Sequence, residues 1–281
     1  MNNKKKIKVM HIAQSAGGVE RYIQMLLKYL DKDKYENILV CSFDYQRTSF
    51  TGLLDESAQI SMKRAIGIYD IKAFWSIRKL INKHKPDIVY AHSSKAGALA
   101  RLANLGFKSK CIYNSHGWAF NMRGSKKKKQ LYAVIEKIIE PFCDKIICIS
   151  EEEKKTALER NICSENKIQV IVNGIDVQKY RNKPHRILNR EDLGIPQDAF
   201  VIGMVGRITP QKSPDIFIQV AHKINRIIPN TYFIIVGNGE QKDEIQRYAK
   251  EHGLEKKLLI TGWINDPMEF IELFNIAMLL R

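Results

Sequence analysis

A glycine and two cations follow one apolar segment of the chain. Residues 200–205 are apolar, and Gly206, Arg207 and, five residues later, Lys212 come after them. Such a run predicts a buried strand, and open α/β sheets bind ligands at the carboxyl ends of their strands. The planar guanidinium of arginine and the point charge of lysine suit two neighbouring phosphates. The segment therefore predicts a diphosphate site, although a surface turn with two solvated cations explains it equally well.

A pair of glycines lies between another apolar run and a helical pattern. Residues 7–13 form the run, Gly17 and Gly18 follow it, and Glu20 stands at the start of the helix. Backbone N–H groups and the helix dipole at such a start attract anions. The sequence has neither the Gly-x-Gly-x-x-Gly fingerprint nor a Walker motif. The glycines predict an anion cradle, and a tight turn without a ligand is the simpler interpretation.

Further polar loops follow apolar runs in the same manner. They are Ser115-His116-Gly117, Ser150-Glu151, Asn173-Gly174-Ile175-Asp176 and Gly237-Asn238-Gly239-Glu240. Each has an ordinary structural interpretation. His116 could be a core histidine, Ser150 is a good helix N-cap, and both Asn-Gly pairs are typical of hairpin turns. These interpretations do not explain why the loops occur in this order.

In chain order, these loops together with Gly17-Gly18-Val19-Glu20 and Val205-Gly206-Arg207 with Lys212 resemble the successive motifs of glycosyltransferase family 4. The resemblance covers essentially the whole chain. Residues 90–97 are also similar to bacterial transferases that build capsular or exopolysaccharide repeat units. The resemblance implies an α/β protein of the GT-B fold, with two Rossmann-like domains. It also implies a retaining enzyme that uses a UDP- or GDP-linked sugar.

The resemblance assigns roles to particular residues. Gly18 is expected to bind the donor diphosphate, which Arg207 and Lys212 neutralise as it departs, and His116 is expected beside the donor sugar. This arrangement suits an oxocarbenium-like transition state, because the charge of the leaving group is stabilised electrostatically. Further substrate-binding positions are expected at Gly17, Glu20, Ser150, Glu151, Asn173, Gly174, Gly237 and Gly239. No metal or other cofactor is expected, since the family needs none and no His or carboxylate cluster has ligand spacing.

One motif of the family has no counterpart in the sequence. A Glu-x7-Glu motif, which faces the donor sugar and binds the ribose, is expected after a later strand of the second domain. Glu244 and Glu251 are seven residues apart, whereas the motif needs eight, and they lie in an earlier predicted helix. We therefore expect a second domain that is truncated at its C-terminus, with impaired transfer. The alternative is a non-catalytic protein that binds nucleotide and membrane.

Apolar runs alternate with helical periodicity, which predicts βαβ units and parallel sheets. The first domain is expected over 1–176, with strands near 7–13, 37–42, 87–91, 110–114, 145–149 and 168–172 and helices near 19–30, 71–84, 95–105, 127–142 and 151–161. Residues 177–199 are polar and predict a linker. The second domain is expected over 200–281, with strands near 200–205, 231–236, 257–261 and 275–280 and helices near 214–228, 240–252 and 267–274. By resemblance, the strand at 275–280 should lie beside the strand at 200–205.

Positive charge is concentrated in the first 190 residues, which hold 36 Lys and Arg against 18 Asp and Glu. Four consecutive lysines there, Lys126, Lys127, Lys128 and Lys129, precede an apolar stripe at helical spacing, Leu131, Val134, Ile135, Ile138, Ile139 and Phe142. A basic helix start beside such a stripe can dock on anionic lipid. A solvated helix end above a core-facing stripe explains the pattern equally well. Since the first domain of the family receives the acceptor, a lipid-linked glycan acceptor would explain this charge.

Other classes of partner and location have weaker support. A basic surface also suits nucleic acid, but no helix-turn-helix, RNP-like motif or zinc spacing is present, so nucleic acid is not expected. The five cysteines form no C-x-x-C pair, which is typical of reduced cytoplasmic thiols. The first apolar stretch is a strand rather than a signal peptide. No run approaches the ~20 apolar residues of a transmembrane helix. We expect a cytoplasmic protein, peripherally associated with the inner face of the cell membrane.

Overall fold

The computed structural model of the chain describes residues 5–14, 16–63, 65–122, 124–178, 188–264 and 266–280. The chain divides into two compact units, Met1–Val177 and Gln178–Arg281. Each unit contains one parallel sheet with helices packed on it. This is the α/β class that the alternation of apolar runs and helical patterns predicted.

The sheet of the first unit has seven parallel strands in the order β3-β2-β1-β4-β5-β6-β7. The strands are β1 Ile7–Ala13, β2 Tyr35–Cys41, β3 Glu56–Gln59, β4 Ile88–His92, β5 Lys110–Asn114, β6 Lys145–Cys148 and β7 Ile168–Val170. The order 3-2-1-4-5-6 is that of the Rossmann fold, extended here by one strand. The central strands are apolar along most of their length because helices cover both faces.

Five helices of the described residues belong to this sheet: α1 Gly18–Tyr29, α2 Tyr69–His84, α3 Ser94–Ala103, α4 Lys126–Ile139 and α5 Glu151–Glu159. From β1 the chain adds β2 and then β3 on one side of β1, and it then returns to add β4 on the other side. Because crossovers between parallel strands are right-handed, this reversal places α1 on one face of the sheet and the other four helices on the opposite face. The two cores confirm this division. Ile23 and Leu27 of α1 pack with Leu39, whereas Ile77 of α2 and Ala133 of α4 belong to the larger core on the other side.

A buried ion pair connects α3 to α4 inside the larger core. Arg101 donates from Nη2 to Glu136 Oε2 at 2.7 Å, and Tyr113 donates its hydroxyl to the other carboxylate oxygen at 2.8 Å. The Arg101 guanidinium also lies 4.1 Å above the Tyr113 ring. Gly97 makes room for that ring, since a Cβ at this position would lie 2.3 Å from it. The pair therefore fixes the position of α4 in the helical layer.

The sheet of the second unit has four parallel strands in the order β10-β9-β8-β11. They are β8 Phe200–Val205, β9 Thr231–Val236, β10 Leu258–Ile260 and β11 Ile276–Ala277, with helices α6 Pro214–Ile227, α7 Lys242–Glu251 and α8 Met268–Ile271. β11 pairs with β8, as predicted from the resemblance. Residues 179–187 of the predicted linker lie outside the described residues. Its end, 188–199, belongs to the second unit, where Ile195 and Ala199 are buried in a core cluster.

Two local predictions differ from the structure. Strand β3 was not expected, because its sequence Glu-Ser-Ala-Gln contains no apolar run. It forms through backbone pairing with β2 at the edge of the sheet. The hairpin interpretation of the two Asn-Gly pairs is wrong, since Asn238-Gly239 connects β9 to a helix and Asn173-Gly174 follows the edge strand β7. The parallel sheet leaves no antiparallel neighbour for a hairpin at either place.

The structure also bears on the expected reduced state of the cysteines and on the expectation that no segment is a transmembrane helix. All five cysteines are free, and burial raises the pKa of Cys111 and Cys148 to about 12, so these thiols are protonated and unreactive near neutral pH. Within the described ranges, no helix has both the length and the apolar character needed to cross a membrane.

Candidate functional site

Three histidines form a hydrogen-bonded row in the first unit. His11 Nδ1 lies 3.3 Å from His92 Nε2, and His92 Nδ1 lies 3.1 Å from His116 Nε2. At the inner end of the row, His11 Nε2 lies 3.2 Å from Asn37 Oδ1. His11 and His92 are fully buried. The row thus runs from the middle of β1 to the loop after β5, where the predicted site residue His116 lies.

The register of the sheet explains why these side chains meet. His11 of β1 is opposite Tyr90 of β4, and the next residue of β1 on the same face is opposite His92. Because side chains alternate along a strand, all of them face α1. Tyr22 of α1 completes the enclosure: its ring lies edge-on to His116, with centroids 4.6 Å apart, and its hydroxyl lies 2.9 Å from that of Tyr90.

The imidazoles are neutral near physiological pH because they are buried. Burial lowers the pKa of His11 to about 4, against a smaller opposing effect of its hydrogen bond to Asn37. Burial also lowers the pKa of His116 to about 4. The pKa of His92 lies well below its ordinary value, through burial and through the adjacent His11 and His116. His116 can therefore offer a hydrogen bond to a ligand without carrying a positive charge.

Two residues beside the row have unusual backbone conformations. Ser93 has φ 82°, ψ 155°, a region nearly restricted to glycine, and His116 has φ 50°. Non-glycine residues in such conformations cost about 1–3 kcal/mol each and cluster at functional sites. Asn114, at the end of β5, holds both. Its carbonyl oxygen accepts from the N–H of Ser93 at 2.9 Å, and its Oδ1 accepts from the N–H of His116 at 3.0 Å.

Unpartnered polar atoms collect at the same edge of the sheet. Buried side-chain atoms without a hydrogen-bond partner in the described structure follow β1, β2, β4 and β5; they are Gln14 Nε2, Ser42 Oγ, Ser93 Oγ and Ser115 Oγ. Buried polar atoms in proteins are normally hydrogen-bonded, so a group of exceptions needs a reason. This edge offers donors and acceptors that would suit a ligand rich in hydroxyl groups.

The glycine pair opens α1 at the carboxyl end of β1. Gly17 has φ 110°, which favours glycine, and neither Gly17 nor Gly18 has a heavy atom within 4 Å of a built Cβ. Space for a close ligand is therefore present above the helix start. Glu20 turns back towards it, and its Oε2 lies 3.5 Å from the N–H of Gly17. Burial, the largest effect, raises the pKa of Glu20 although this contact opposes the rise. An anion at this helix start would have this carboxylate as a neighbour.

The predicted site residues after β6 and β7 have different surroundings. Ser150 Oγ accepts from the N–H of Glu153 at 3.2 Å and caps α5, while Glu151 is exposed. Asn173 and Gly174 are exposed in an irregular segment after β7. Sequence reasoning missed Glu153, whose Oε2 accepts from the N–H of Ile149 at 2.9 Å. The Ser-x-x-Glu spacing of a capping box could have identified it.

In the second unit, the predicted cation loop follows β8 beside the glycine loop after β9. The Lys212 side chain crosses Gly206, with carbons 3.6–3.8 Å from where a Cβ would lie, and Arg207 is exposed. A Cβ on Gly237 would lie 1.9 Å from the Gly206 carbonyl oxygen, and one on Gly239 would lie 2.3 Å from a carbonyl oxygen of the same loop. Both glycines are thus required by contact between two backbone loops, whether or not a nucleotide approaches them.

The exposed surface of the helical layer includes an apolar stripe on α4. The four lysines Lys126 to Lys129 begin this helix, and Ser125 caps it. The predicted stripe divides: Ile139 is buried, but Leu131 is 54% exposed and Ile138 is 65% exposed. A second exposed set, Ile68, Ile71 and Trp75, lies at the start of α2. Periodicity predicted the stripe but could not show that four of its six residues are exposed.

A metal site finds no support in the side chains. No group of three or more His, Cys, Asp or Glu residues in the described ranges could hold a metal ion. The row of histidines is no exception, because its facing ring nitrogens lie within hydrogen-bonding distance of one another or of Asn37.

Comparison with known proteins covers both units. The sequence model of Glycosyltransferase Family 4 matches residues 16–179, and that of Glycosyl transferases group 1 matches residues 185–280. An Escherichia coli protein, UDP-Gal:alpha-D-GlcNAc-diphosphoundecaprenol alpha-1,3-galactosyltransferase, is 32% identical over 98% of this chain and 73% of its own length. The capsular polysaccharide biosynthesis glycosyltransferase CapM of Staphylococcus aureus is 29% identical over 77% of this chain and 58% of its own.

The fold is similar to that of solved glycosyltransferases. The crystal structure of Anabaena HepE in complex with UDP and glucose has a TM-score of 0.76 and 20% sequence identity, over 96% of this chain and 73% of that one. Both units therefore have the architecture of the GT-B fold. The site residues named above remain predictions.

Proposed function

The chain belongs to glycosyltransferase family 4, and we propose that it transfers a sugar from a UDP- or GDP-linked donor to a lipid-linked glycan in the synthesis of a bacterial surface polysaccharide. The observation that carries the proposal is the carboxyl edge of the first sheet. It combines a neutral, oriented imidazole at His116 with several unpartnered polar atoms. The E. coli relative is named for a UDP-galactose donor and a diphosphoundecaprenol-linked acceptor, which supports both substrate classes.

The residues of each unit would contribute separate parts of the reaction. Arg207 and Lys212 would stabilise the diphosphate as negative charge develops on the leaving group. His116, being neutral, would accept or donate a hydrogen bond at a sugar hydroxyl without repelling an oxocarbenium-like centre. The two cations supply the charge that a divalent metal provides elsewhere, so we propose that transfer is metal-independent. Activity that persists in excess EDTA would support this part, and loss restored by Mg²⁺ would refute it.

Nucleotide titration tests the donor site. We expect Arg207→Ala and Lys212→Ala each to weaken binding of UDP or GDP by about 1.5–3 kcal/mol, because each removes a charge-assisted phosphate contact. Lys250→Ala, at an exposed lysine of the same unit, is the matched control. Equal affinity of the wild type and both variants for the nucleotide that binds would remove the diphosphate role. Binding without transfer to any diphosphoundecaprenol-linked glycan would favour a non-catalytic nucleotide-binding protein.

The acceptor side of the proposal predicts contact with a membrane. Helix α3 packs between α2 and α4 on one face of the sheet, so the exposed apolar residues of α2 and α4 point away from the sheet on the same side. Lysines flank both sets, and Trp75, which is 61% exposed, is the type of residue found at membrane interfaces. We propose that this helical layer docks on anionic lipid at the inner face of the cytoplasmic membrane.

Vesicle flotation tests the docking surface. Exchange of Lys126–Lys129 for Gln should reduce binding to phosphatidylglycerol vesicles at low salt, and Leu131→Ser with Ile138→Ser should reduce it at any salt. Exchange of four lysines of the second unit serves as the control for net charge: Lys223, Lys242, Lys250 and Lys256. Equal losses in both lysine variants would indicate general electrostatic attraction and contradict a specific face.

A further inference from the structure

The polarity of the histidine row can be worked out from its inner end. Asn37 Oδ1 can only accept a hydrogen bond, so the proton between it and His11 belongs to His11 Nε2. His11 is neutral, and its Nδ1 must therefore accept. The proton between His11 and His92 then belongs to His92 Nε2. The same reasoning places the proton of the last contact on His116 Nε2.

We propose that Asn37, His11 and His92 are positioning residues that fix His116 as the tautomer with a protonated Nε2, leaving the Nδ1 lone pair for a hydroxyl of the donor sugar. The assignment of His116 to the sugar rests on the proposed function, whereas the fixed tautomer rests on the geometry alone. An isolated neutral histidine has two tautomers of similar energy. A buried row of three with an acceptor at one end has one arrangement in which every contact contains a single proton.

The surroundings restrict the row to this arrangement. The Tyr90 ring packs on His92 with centroids 4.2 Å apart, and the Tyr22 ring packs on His116. Rotation of the His92 imidazole, which is fully buried, would break both of its hydrogen bonds and leave its ring nitrogens unpaired. The backbone of Asn37 is also held, because its N–H donates to Asp55 Oδ2 at 2.7 Å. The hydrogen bond between Asn37 and His11 in the sheet interior thus determines which nitrogen of His116 is protonated at the carboxyl edge.

Substitution of Asn37 distinguishes this relay from a simple packing role. In Asn37→Leu no acceptor fixes the first proton, so both polarities become accessible and His116 should become a mixture of tautomers. In Asn37→Asp the carboxylate favours a doubly protonated His11. Its Nδ1–H would then donate to His92, and the whole row would reverse, placing the proton of His116 on Nδ1. Neither substitution lies near enough to touch a ligand at the carboxyl edge.

Nitrogen-15 NMR of the histidine rings reads the tautomers directly, in the protein without substrate. We expect the Nε2–H form at all three positions in the wild type, a mixture at His116 in Asn37→Leu, and the Nδ1–H form in Asn37→Asp. His252→Phe, in the second unit, is the control and should change nothing in the row. A wild-type His116 protonated on Nδ1, or a tautomer that is identical in all four proteins, would overturn the inference even if the variants fold poorly.

Kinetics then connect the tautomer to the sugar. For Asn37→Leu we expect kcat/KM for the nucleotide sugar to fall between about twofold and tenfold, the effect of one hydrogen bond, while the Kd for the nucleotide alone stays unchanged. A loss of nucleotide affinity equal to the loss in kcat/KM would indicate general damage and contradict the positioning role. If the wild type shows no transfer, the proposed function fails, and the NMR result still decides the tautomer.

Discussion

The strongest test of how the first unit is held together is the substitution Glu136→Gln. Arg101 and Glu136 have 0% and 3% side-chain exposure, and their contact is 2.7 Å long. Glutamine keeps the shape and an oxygen for the Tyr113 hydroxyl, but it removes the negative charge and turns an N–H donor towards a guanidinium that also only donates. The substitution therefore isolates the charge of the pair from its packing.

The expected magnitude follows from the burial of the arginine. Breaking a buried ion pair on one side costs about 3–5 kcal/mol, because the remaining charge has no water to solvate it. Exposed pairs contribute about 0–1 kcal/mol, so Glu159→Gln, which removes the 65%- and 64%-exposed pair with Lys155, should cost less than about 1 kcal/mol. The double variant Arg101→Met with Glu136→Leu should recover most of the loss, since apolar replacement of a buried pair is often neutral.

Urea unfolding followed by tryptophan fluorescence measures this difference. Trp118 is 1% exposed in the first unit, whereas Trp75 and Trp263 are exposed, so a Trp75→Phe, Trp263→Phe background reports the first unit alone. The two units need not unfold together, which makes a probe confined to one of them necessary. If Glu136→Gln lowers the free energy of unfolding by less than about 1 kcal/mol, as the control does, water or a rearrangement compensates the charge of Arg101. The expected cost of leaving this buried charge unpaired would then be wrong.

Three further predictions concern the site and its supports. Because burial holds the pKa of His11 and His116 at about 4, below their ordinary 6.5, the unfolded chain protonates first as the pH falls. The free energy of unfolding of the first unit should be highest above pH 6.5 and should decrease by about 3 kcal/mol per imidazole as the pH falls to 4. A urea midpoint that does not change with pH would contradict this. Gly237→Ala should weaken nucleotide binding and lower the thermal midpoint because its methyl group meets a backbone oxygen at 1.9 Å, whereas Gly174→Ala, with nothing within 4 Å, should leave the thermal midpoint unchanged. Ser150→Ala should destabilise the first unit by about 1 kcal/mol through loss of an N-cap, measured as a lower urea midpoint.

The apolar runs, the helical periodicity and the glycines between them were sufficient to predict most of the fold. The runs at 7–13 and 200–205 are strands with those bounds, because parallel strands buried on both faces must be apolar nearly throughout. Gly206, directly after the second run, and Gly17 and Gly18, a few residues after the first, marked the loops that follow these strands. The edge strand Glu56–Gln59 could not be found in this way, since one neighbour and an exposed face leave its composition almost free.

The candidate site was only partly accessible from sequence. His116 was predicted as a site residue from its loop, but His11 and His92 lie inside apolar runs that are typical of a core, and their contact depends on the register between β1 and β4. A usable signal was nevertheless present: His11, Asn37 and Asn114 are polar residues within central strands, where burial normally excludes them. Which residues of the α4 stripe face solvent was not predictable, because periodicity shows that a stripe exists and not what packs on it.

The two faces of the first sheet differ in a way that connects fold to chemistry. In the described residues, the face towards α2–α5 is filled by apolar side chains and by the buried pair Arg101–Glu136, whose charges neutralise each other. The face towards α1 contains the histidine row and opens at the glycine pair. A polar row is stable there because each imidazole is the hydrogen-bond partner of the next, and β1 and β4 hold two of the three rings on rigid strands. Only His116 lies on a loop, and its strained backbone is fixed by Asn114. The position proposed for the donor sugar is therefore held by the sheet rather than by its loops, and for this reason a substitution at Asn37 in β2 should change the His116 tautomer at the carboxyl edge.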